Sequence, residues 1–547
     1  MSEFDYVVVG AGTAGCAVAA RLAEDPSVSV AVIEAGGRYR RVLDVPLVGL
    51  WAWLRRPPGF CWQDWTVPQA ALDGRRVWWP AGRLVGGSSA INAMIYCRGS
   101  AASYDRWRDG GDPEWSYDEL LPYFRRAEDQ ERGASPAHGV GGPVAVSDGR
   151  YISALGRAFV AGCEEIGIPP IDDFNGARAV GAGFFQVTQR RGRRSSAADY
   201  LRHTAGGARV SVHLGSRVVR VLMDGGRATG VALANGRTMS RIRARREVIL
   251  SAGVARSPQL LMLSGIGPAD ALRRAGVDVL VDNPDVGANL QDHVRVQVVR
   301  EIAGPRPTRV AGLVRAGVEY LGRRRGLLAS NVCDAGAVVR LAESDQVPAL
   351  RILCQWRAWP HERASFIALE VALIDPRSRG RLSLASNDPD DPITIDPGYL
   401  TDARDFERLA RGVDLTRAIG ASAPCRRAGV GREVQPADGD VAAHIRRHAN
   451  SAYQAVGTCR LGHDRWAVVD SRLRVTGVAG LRVVDASVMP TTVAGNAQAA
   501  VLAIAERAAD LIRDAGGDGI LHDDVARACQ ASDVRSAAAL APVIKSA

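Results

Sequence analysis

The sequence of 547 residues has almost no lysine, because Lys545 is the only one of its 69 basic residues that is not an arginine. The arginines are spread along the whole chain among 59 acidic residues, and clusters such as residues 189–194 are short. The formal net charge of +10 therefore reflects a uniform bias and no basic patch. Without such a patch, we expect no binding to nucleic acid.

Paired cysteines and long apolar runs are also absent. The nine cysteines are scattered, odd in number and never spaced as C-x-x-C, which argues against a zinc site or a disulfide framework and favours a reducing compartment. The longest apolar run, residues 45–54, is too short to span a bilayer, and no basic segment of a secretory signal precedes the first strand pattern. We therefore expect a cytoplasmic protein that makes no membrane contact.

The composition is that of a globular protein. Hydrophobic residues make up 47% and charged residues 23% of the chain. A chain of 547 residues is too long for one simple core, so we expect two domains.

The N-terminal segment has the pattern of a dinucleotide-binding turn. A short apolar run is followed by Gly10, Gly12 and Gly15 in the spacing G-x-G-x-x-G, and then by a helical pattern. These glycines permit a tight turn, the approach of a pyrophosphate and close packing, while the helix start offers N–H groups to phosphates. A second buried-strand pattern ends in Glu34, nineteen residues after Gly15, where a carboxylate can accept hydrogen bonds from an adenosine ribose.

Other segments suggest further cofactor contacts. The G-G-S-S turn at 86–89 runs into a small-residue helix start whose N–H groups could face a cofactor; the alternative is a plain glycine loop capped by Ser88 or Ser89. Residues 247–253 have the pattern of a buried strand that ends in small residues, a form that packs against a bound nucleotide. Residues 480–486 have a similar buried-strand pattern that includes the acidic residue Asp485.

Three other patterns concern mainly the architecture. The tryptophan-rich stretch 51–79 resembles a loop packed on the domain; the alternative is that its tryptophans contact the substrate directly. Residues 257–267 predict a helix with Pro258 in its first turn. Alternating runs between 300 and 450 predict an antiparallel sheet with one solvated face.

Over nearly its whole length the chain resembles the glucose–methanol–choline family of flavin oxidoreductases. The matching blocks occur in the family's order and are residues 10–15 with Glu34, 82–92, 253–267, 286–293, 378–380, 457–460 and 485–487. The resemblance implies an α/β protein with a Rossmann-like FAD-binding domain and a second α+β substrate domain built on an antiparallel sheet. It implies an FAD-binding domain at 1–150, 195–300 and 455–520, a substrate-binding domain at 151–194 and 301–454, and a C-terminal helical tail at 521–547.

The resemblance also implies which residues line a non-covalent FAD. They are Gly10, Gly12, Thr13, Ala14, Gly15, Glu34, Ala35, Val85, Gly87, Asn92, Ala93, Met94, Ile95, Val219, Asp485, Ala486, Asn496, Ala497 and Gln498. Val219 would hold the adenine through its backbone. Some family members attach flavin to a histidine in the G-G-S-S segment, but Ile91 occupies that place here and has no atom that forms such a bond.

The family reaction implies two catalytic positions. An alcohol loses its hydroxyl proton to a histidine while its carbon gives a hydride to flavin N5, and dioxygen or another acceptor then takes the electrons. The histidine position is matched by Gln454 and its partner position by Asn496. A glutamine amide orients an oxygen but effectively never takes a proton, so the base that contributes about 10² to 10⁴-fold is missing.

Other groups are candidates for that base only by residue type. His448 is expected to be a surface histidine on a helix, and Asp292 and His293 belong to a block that resembles a structural element of the family.

Two functions remain open at this point. The first is an FAD-dependent oxidoreductase that acts on the CH–OH group of a small-molecule substrate, with Gln454 holding the substrate oxygen and a substrate group, water or a remote side chain taking the proton. The alternative is a flavin enzyme of specialised metabolism that eliminates, isomerises, cyclises or decarboxylates without net alcohol oxidation. A flavin-binding protein without catalytic activity is the third possibility.

Overall fold

The structure is a computed structural model that describes residues 2–49, 59–110, 112–203, 209–236, 238–303, 310–357, 365–436 and 439–517. The helical tail expected at 521–547 lies outside these residues, as do Trp51 and Trp53. The α-helices span Thr13–Leu22, Ala101–Asp109, Tyr117–Ala127, Ala154–Glu165, Ala198–His203, Gly253–Leu263, Ala269–Arg274, Val310–Arg323, Ala403–Gly420, Ala423–Arg427, Val441–His448 and Ala497–Gly517.

A seven-stranded sheet forms the core of the nucleotide-binding half. Its parallel strands lie in the order Val210–His213, Val30–Ile33, Ser2–Val9, Thr238–Leu250 and Leu481–Val483. The first part of Thr238–Leu250 also pairs in antiparallel fashion with Arg227–Asn235, which continues to Arg217–Asp224. The central strands are buried and mostly apolar, and the Thr13–Leu22 and Ala497–Gly517 helices pack together and share their core.

A second seven-stranded sheet is antiparallel throughout. Its strands lie in the order Val430–Gln435, Val294–Ile302, Ser365–Leu373, Leu350–Arg357, Ala335–Val339 and Gly181–Phe184, with Asn450–Ser451 paired to Val294–Ile302. The Ala403–Gly420 and Ala154–Glu165 helices cover one face of it and share its apolar core. The two sheets confirm the fold class that the sequence implies, whereas the proposed domain boundaries stay a prediction.

Several small sheets lie outside the two large ones. They pair Cys61–Trp65 with Trp78–Gly82, Gln189–Arg190 with Arg193–Arg194, Ile266–Gly267 with Val281–Asp282, Arg381–Ser383 with Thr394–Asp396, and Val144–Asp148 with both Glu128–Gln130 and Gln186–Val187. Short 3₁₀ turns occupy Arg41–Asp44, Ala70–Leu72, Gly87–Ala90, Pro113–Trp115, Leu327–Ala329 and Ala486–Val488.

Two local predictions are wrong. The tryptophans at 62, 65, 78 and 79 do not lie in a loop but in an antiparallel hairpin, where Trp65 and Trp78 are directly opposite each other. Pro258 does not lie in the first turn of its helix, because that helix already begins at Gly253. Gly253 has a φ of +85°, and its N–H donates to Asp485, a contact from a distant segment that the local sequence does not encode.

Candidate active site

The glycine turn between Val9 and Thr13 has the shape that a phosphate-binding loop requires. Gly10 has a φ of +101°, and a Cβ atom there would lie 2.5 Å from the carbonyl oxygen of Ser251. A Cβ on Gly15 would lie 1.9 Å from the carbonyl oxygen of Gly10. Gly12 precedes the Thr13–Leu22 helix and no side chain caps that helix start. The turn therefore leaves the first N–H groups of the helix open to an anionic ligand.

The Glu34 carboxylate supports this turn from the next strand. Its Oε2 accepts a hydrogen bond from Ala11 N at 2.9 Å, and its Oε1 accepts one from Gly36 N at 2.7 Å. The residue is 6% exposed, and burial raises the pKa of its carboxyl although both hydrogen bonds act in the opposite direction. Each carboxylate oxygen has a further lone pair, which is what a ribose hydroxyl needs as an acceptor.

Two adjoining cavities extend from this turn. One, of about 280 Å³, is lined by Gly10, Glu34, Ala35 and Val218, and the other, of about 310 Å³, reaches Asn92, Gln454 and Asn496. The lining residues that both share are Gly12, Trp62, Asp64, Gly82, Gly87, Ser251, Ala252 and Arg256. They form one groove along the carboxyl ends of the parallel strands, where open α/β sheets bind ligands.

The walls at the inner end of the groove are held by polar side chains from three segments. Asn92 donates to Gln498 Oε1, and its own Oδ1 accepts from Met94 N at 3.0 Å and from Arg194 Nη1 at 2.9 Å. Burial lowers the pKa of Arg194 to about 10. The buried Gln498 Nε2 has no partner among the described residues. It is a hydrogen-bond donor that a polar ligand in this cavity would satisfy.

Asp485 fixes the opposite wall. Its Oδ2 accepts from Gly253 N at 2.8 Å and from Ser257 Oγ at 2.5 Å, while its Oδ1 accepts from Ser487 N and Oγ. These contacts tie the end of one strand to the start of the Gly253–Leu263 helix.

The two predicted catalytic amides lie together at the inner end of the groove. Gln454 Oε1 accepts a hydrogen bond from Ala497 N at 2.7 Å, and its Nε2 donates to Ala452 O at 3.2 Å. Asn496 Oδ1 accepts from Arg351 Nη1 at 3.0 Å. Both side-chain carbonyls are therefore engaged by the protein, and the amide N–H groups are what the pair offers to a ligand.

Asp292 holds the backbone that carries Gln454. Its Oδ1 accepts from Gln454 N at 2.9 Å, and its Oδ2 accepts from Ser451 Oγ at 2.5 Å and from Tyr399 Oη at 2.7 Å. Burial raises the pKa of this carboxyl against the effect of these hydrogen bonds. Asp292 thus positions the 451–454 segment and does not line either cavity. This agrees with the prediction that Asp292 belongs to a structural block of the chain.

Neither histidine candidate reaches the groove. His448 is exposed at the end of the Val441–His448 helix, with its ring centroid 4.8 Å from that of His444. His293 is buried, burial lowers its pKa to about 3, and it lines neither cavity. Among the described residues of the inner cavity wall there is no histidine.

Most of the residues that the resemblance implies for FAD lie on the groove walls. Gly15, Val85 and Val219 are the exceptions among them. Gly15 packs against the Gly10 carbonyl, and Val85 N donates to Gly37 O. Val219 lies where the register of its strand shifts, between Val218 and Arg220, beside the cavity-lining Val218. The FAD contacts of all the residues that the resemblance implies stay predictions, and for these three the groove walls give no support.

Sequence reasoning missed two buried arginines behind the walls. Arg194 contacts Asn92 from the short Arg193–Arg194 strand, and Arg351 contacts Asn496 from the antiparallel sheet. No motif marks either residue, because each is one of many arginines in an unremarkable local pattern. The alternation at 351–356 predicts a strand with a polar face but does not show that Arg351 faces Asn496.

The groove fits a dinucleotide with a large polar ring system. The open helix start suits a pyrophosphate, Glu34 suits a ribose, and the unpartnered Gln498 Nε2 suits a polar ring edge near Asn92. Among the described residues, no group of three or more His, Cys, Asp or Glu side chains is arranged to hold a metal ion. The fold and the site define a nucleotide-dependent oxidoreductase of the Rossmann type.

The chain belongs to the GMC oxidoreductase family, and its cofactor is FAD. The family's N-terminal model matches residues 4–295 and its C-terminal model matches residues 376–505. This confirms the enzyme class and the cofactor that the sequence implies. Ile91 lines the cavity at the place of the family's flavin-linking histidine, so FAD is not attached there.

Curated relatives match over almost the whole chain. The alcohol dehydrogenase (acceptor) of Pseudomonas putida is 37% identical over 533 residues, which are 93% of this chain and 95% of that protein. Human mitochondrial choline dehydrogenase is 38% identical over 542 residues, which are 93% of this chain and 90% of that protein.

Solved structures also match over almost the whole chain. The crystal structure of pyridoxine 4-oxidase from Mesorbium loti superposes with a TM-score of 0.84 and is 34% identical, covering 93% of this chain and 98% of that one. A formate oxidase structure from Aspergillus oryzae RIB40 has a TM-score of 0.86 at 26% identity, covering 94% of this chain and 99% of that one.

Within the described part of the chain, no helix is both long and apolar enough to cross a membrane.

Proposed function

We propose that this protein oxidises the CH–OH group of a small-molecule substrate bound between Gln454 and Asn496. When bound, FAD supplies the hydride acceptor, and dioxygen or another acceptor takes up the electrons. The relatives that suggest this class are a choline dehydrogenase, an alcohol dehydrogenase and a pyridoxine 4-oxidase. The observation that carries the proposal is the meeting of the two amides at the inner end of the groove.

The amides hold the reacting oxygen and do not remove its proton. Gln454 and Asn496 have their carbonyl oxygens engaged by Ala497 N and Arg351, so they present N–H donors. Such donors stabilise negative charge that develops on an oxygen. The hydroxyl proton leaves to water or to a basic group on the substrate, because neither amide accepts it.

The test is anaerobic mixing of the FAD-loaded protein with a panel of alcohols and hydroxy acids. We expect at least one compound to bleach the oxidised-flavin absorbance and to give a product two hydrogens lighter. If the protein retains FAD and no compound bleaches it, alcohol oxidation is not its function.

A flavin reaction without net oxidation is the second candidate. The observation that favours it is the absence of histidine among the described residues of the inner cavity wall. Elimination, isomerisation, cyclisation or decarboxylation would give a product of unchanged mass or one that has lost a fragment. Mass spectrometry of the product therefore separates the two candidates.

A further inference from the structure

We propose that Arg351 and Asn496 form a subsite for an anionic oxygen, and that the substrate carries a carboxylate next to its reacting hydroxyl. This inference rests on the proposed function only for the position of the substrate. The chemical class that it predicts is a short hydroxy acid.

Arg351 lies on the side of the antiparallel sheet that faces the groove. It shares that side with Leu353 two residues later on its own strand, and its partner on the neighbouring strand is Ala372. Leu353 and Ala372 belong to one apolar cluster with Ile95 and Ala452. Since Ile95 and Ala452 line the inner cavity, the guanidinium lies directly behind that wall.

The guanidinium has too few partners for its burial. Arg351 is 2% exposed, and it donates one hydrogen bond, to Asn496 Oδ1. Its Nε has no acceptor, and it forms no ion pair with any described carboxylate. A buried cation without a counter-ion is unfavourable, so this position is stabilised when an anion binds beside it.

Among the described residues, no neighbouring titratable group forms an ion pair or a hydrogen bond with the Arg351 guanidinium. Glu370 is the nearby carboxylate, but it accepts hydrogen bonds from Arg295 and Gln297. Burial raises the pKa of the Cys97 and Cys333 thiols, which keeps both neutral. Burial also keeps His293 neutral by lowering its pKa. Glu370 thus attracts Arg351 electrostatically but bonds to other partners, so no described group is a hydrogen-bonded counter-ion of the Arg351 guanidinium.

Asn496 completes the subsite. Because Arg351 occupies Asn496 Oδ1, the Asn496 Nδ2 group is the part of the amide that is available to a ligand. Asn496 lines the inner cavity. A carboxylate accepts hydrogen bonds from an amide and a guanidinium together, whereas a neutral amide ligand would oppose one of these donors with its own NH₂ group.

The test compares acetate with acetamide, which has nearly the same shape and no charge. Both are titrated into the oxidised, FAD-loaded protein at pH 7 and constant ionic strength. Dissociation constants come from the flavin difference spectrum and, independently, from the ligand-dependent shift of the melting temperature. We expect acetate to bind at least about tenfold more tightly than acetamide, as one charge-assisted contact implies.

Variants assign the preference to Arg351. Arg351→Met should reduce the acetate-to-acetamide ratio to below about twofold, and Arg351→Lys should keep part of it. Asn496→Asp places a carboxylate beside Arg351 and should remove the preference without removing the cation. Arg340→Met, at an exposed arginine, is the matched control.

Equal binding of the two probes, or a preference that survives Arg351→Met, would overturn the subsite. Should Arg351→Met fail to fold, Asn496→Asp and Arg351→Lys still decide the question. The binding assay needs no turnover. If alcohols fail to bleach the flavin while acetate is preferred, the proposed function fails and the subsite stands; the reverse pattern refutes the subsite alone.

Discussion

The side-chain oxygen of Gln454 accepts a hydrogen bond of 2.7 Å from the backbone N–H of Ala497, the first residue of the Ala497–Gly517 helix. A free N–H group at a helix start requires an acceptor, and Gln454 provides it. The glutamine is therefore a structural partner of the helix as well as part of the wall of the inner cavity. In the proposed function, a substrate hydroxyl would meet the N–H side of this amide, which offers no proton acceptor.

Gln454→His should accelerate the oxidation of neutral alcohols. An imidazole accepts a proton near neutral pH, and general-base catalysis contributes about 10² to 10⁴-fold, so we expect a gain of about tenfold or more in the rate of anaerobic flavin reduction. The rate should also acquire a dependence on a group with a pKa near the ordinary value of histidine, about 6.5.

Gln454→Asn is the control for that variant, since it keeps an amide and supplies no proton acceptor. If Gln454→His retains FAD and oxidises no alcohol faster, the missing base is not what limits the reaction. Loss of a native non-oxidative activity in Gln454→His would favour the alternative function.

Local sequence patterns predict the nucleotide half of the molecule well. The Gly10 turn and Glu34 lie within one strand–turn–helix–strand unit, and their spacing alone fixes their geometry. The antiparallel sheet is likewise visible in the alternation of 351–356. The family resemblance supplies the two amides, Gln454 and Asn496.

The supporting contacts behind the site are not predictable in this way. Arg351 reaches Asn496 across 145 positions of the chain, and Asp292 reaches Gln454 across 162. Neither pair has a spacing that a helix or a strand would impose. The start of the helix at Gly253 depends on a similar long-range contact to Asp485, so the local pattern predicts a later start with Pro258 in the first turn.

Glu34→Gln should weaken FAD binding. The amide keeps one oxygen but turns its NH₂ group toward the N–H of Ala11 or of Gly36, and we expect the ribose hydroxyl of FAD to lose its hydrogen bond to a charged acceptor. Such a loss costs about 1.5–3 kcal/mol, which corresponds to an increase of about 10 to 100-fold in the dissociation constant of FAD. Recovery of flavin fluorescence on release measures it. Exposed Glu343→Gln should leave the constant unchanged, and an unchanged constant in Glu34→Gln would contradict the role of this carboxylate.

Gly10→Ala should abolish the cofactor-binding turn. The new Cβ would lie 2.5 Å from Ser251 O, at a φ of +101° that side chains disfavour by about 1–2 kcal/mol. We expect purified Gly10→Ala to contain little FAD and to melt at a lower temperature than the wild type. Gly37→Ala is the matched control, because no atom lies within 4 Å of its added Cβ. Full FAD content in Gly10→Ala would show that the turn tolerates the side chain.

A buried charged network lies beside the segment that carries Tyr96 and Arg98. His138 Nδ1 lies 2.9 Å from Glu128 Oε1 and His138 Nε2 lies 2.7 Å from Asp173 Oδ2. Glu128 also pairs with Arg98 at 2.7 Å. Burial alone would lower the pKa of His138, but the hydrogen bonds to Asp173 and Glu128 outweigh it and raise the pKa to about 9.

This raised pKa predicts how the stability of the protein depends on pH. The unfolded chain has the ordinary histidine pKa of about 6.5, so the folded state binds the proton more tightly. The stabilisation is fully present below pH about 6.5 and is lost as the pH rises through about 9. We therefore expect the free energy of unfolding, measured by urea denaturation, to fall more steeply over this interval in the wild type than in His138→Gln. His448→Gln, at an exposed histidine, should keep the wild-type slope, and equal slopes in the wild type and His138→Gln would show that His138 is not protonated in the folded protein.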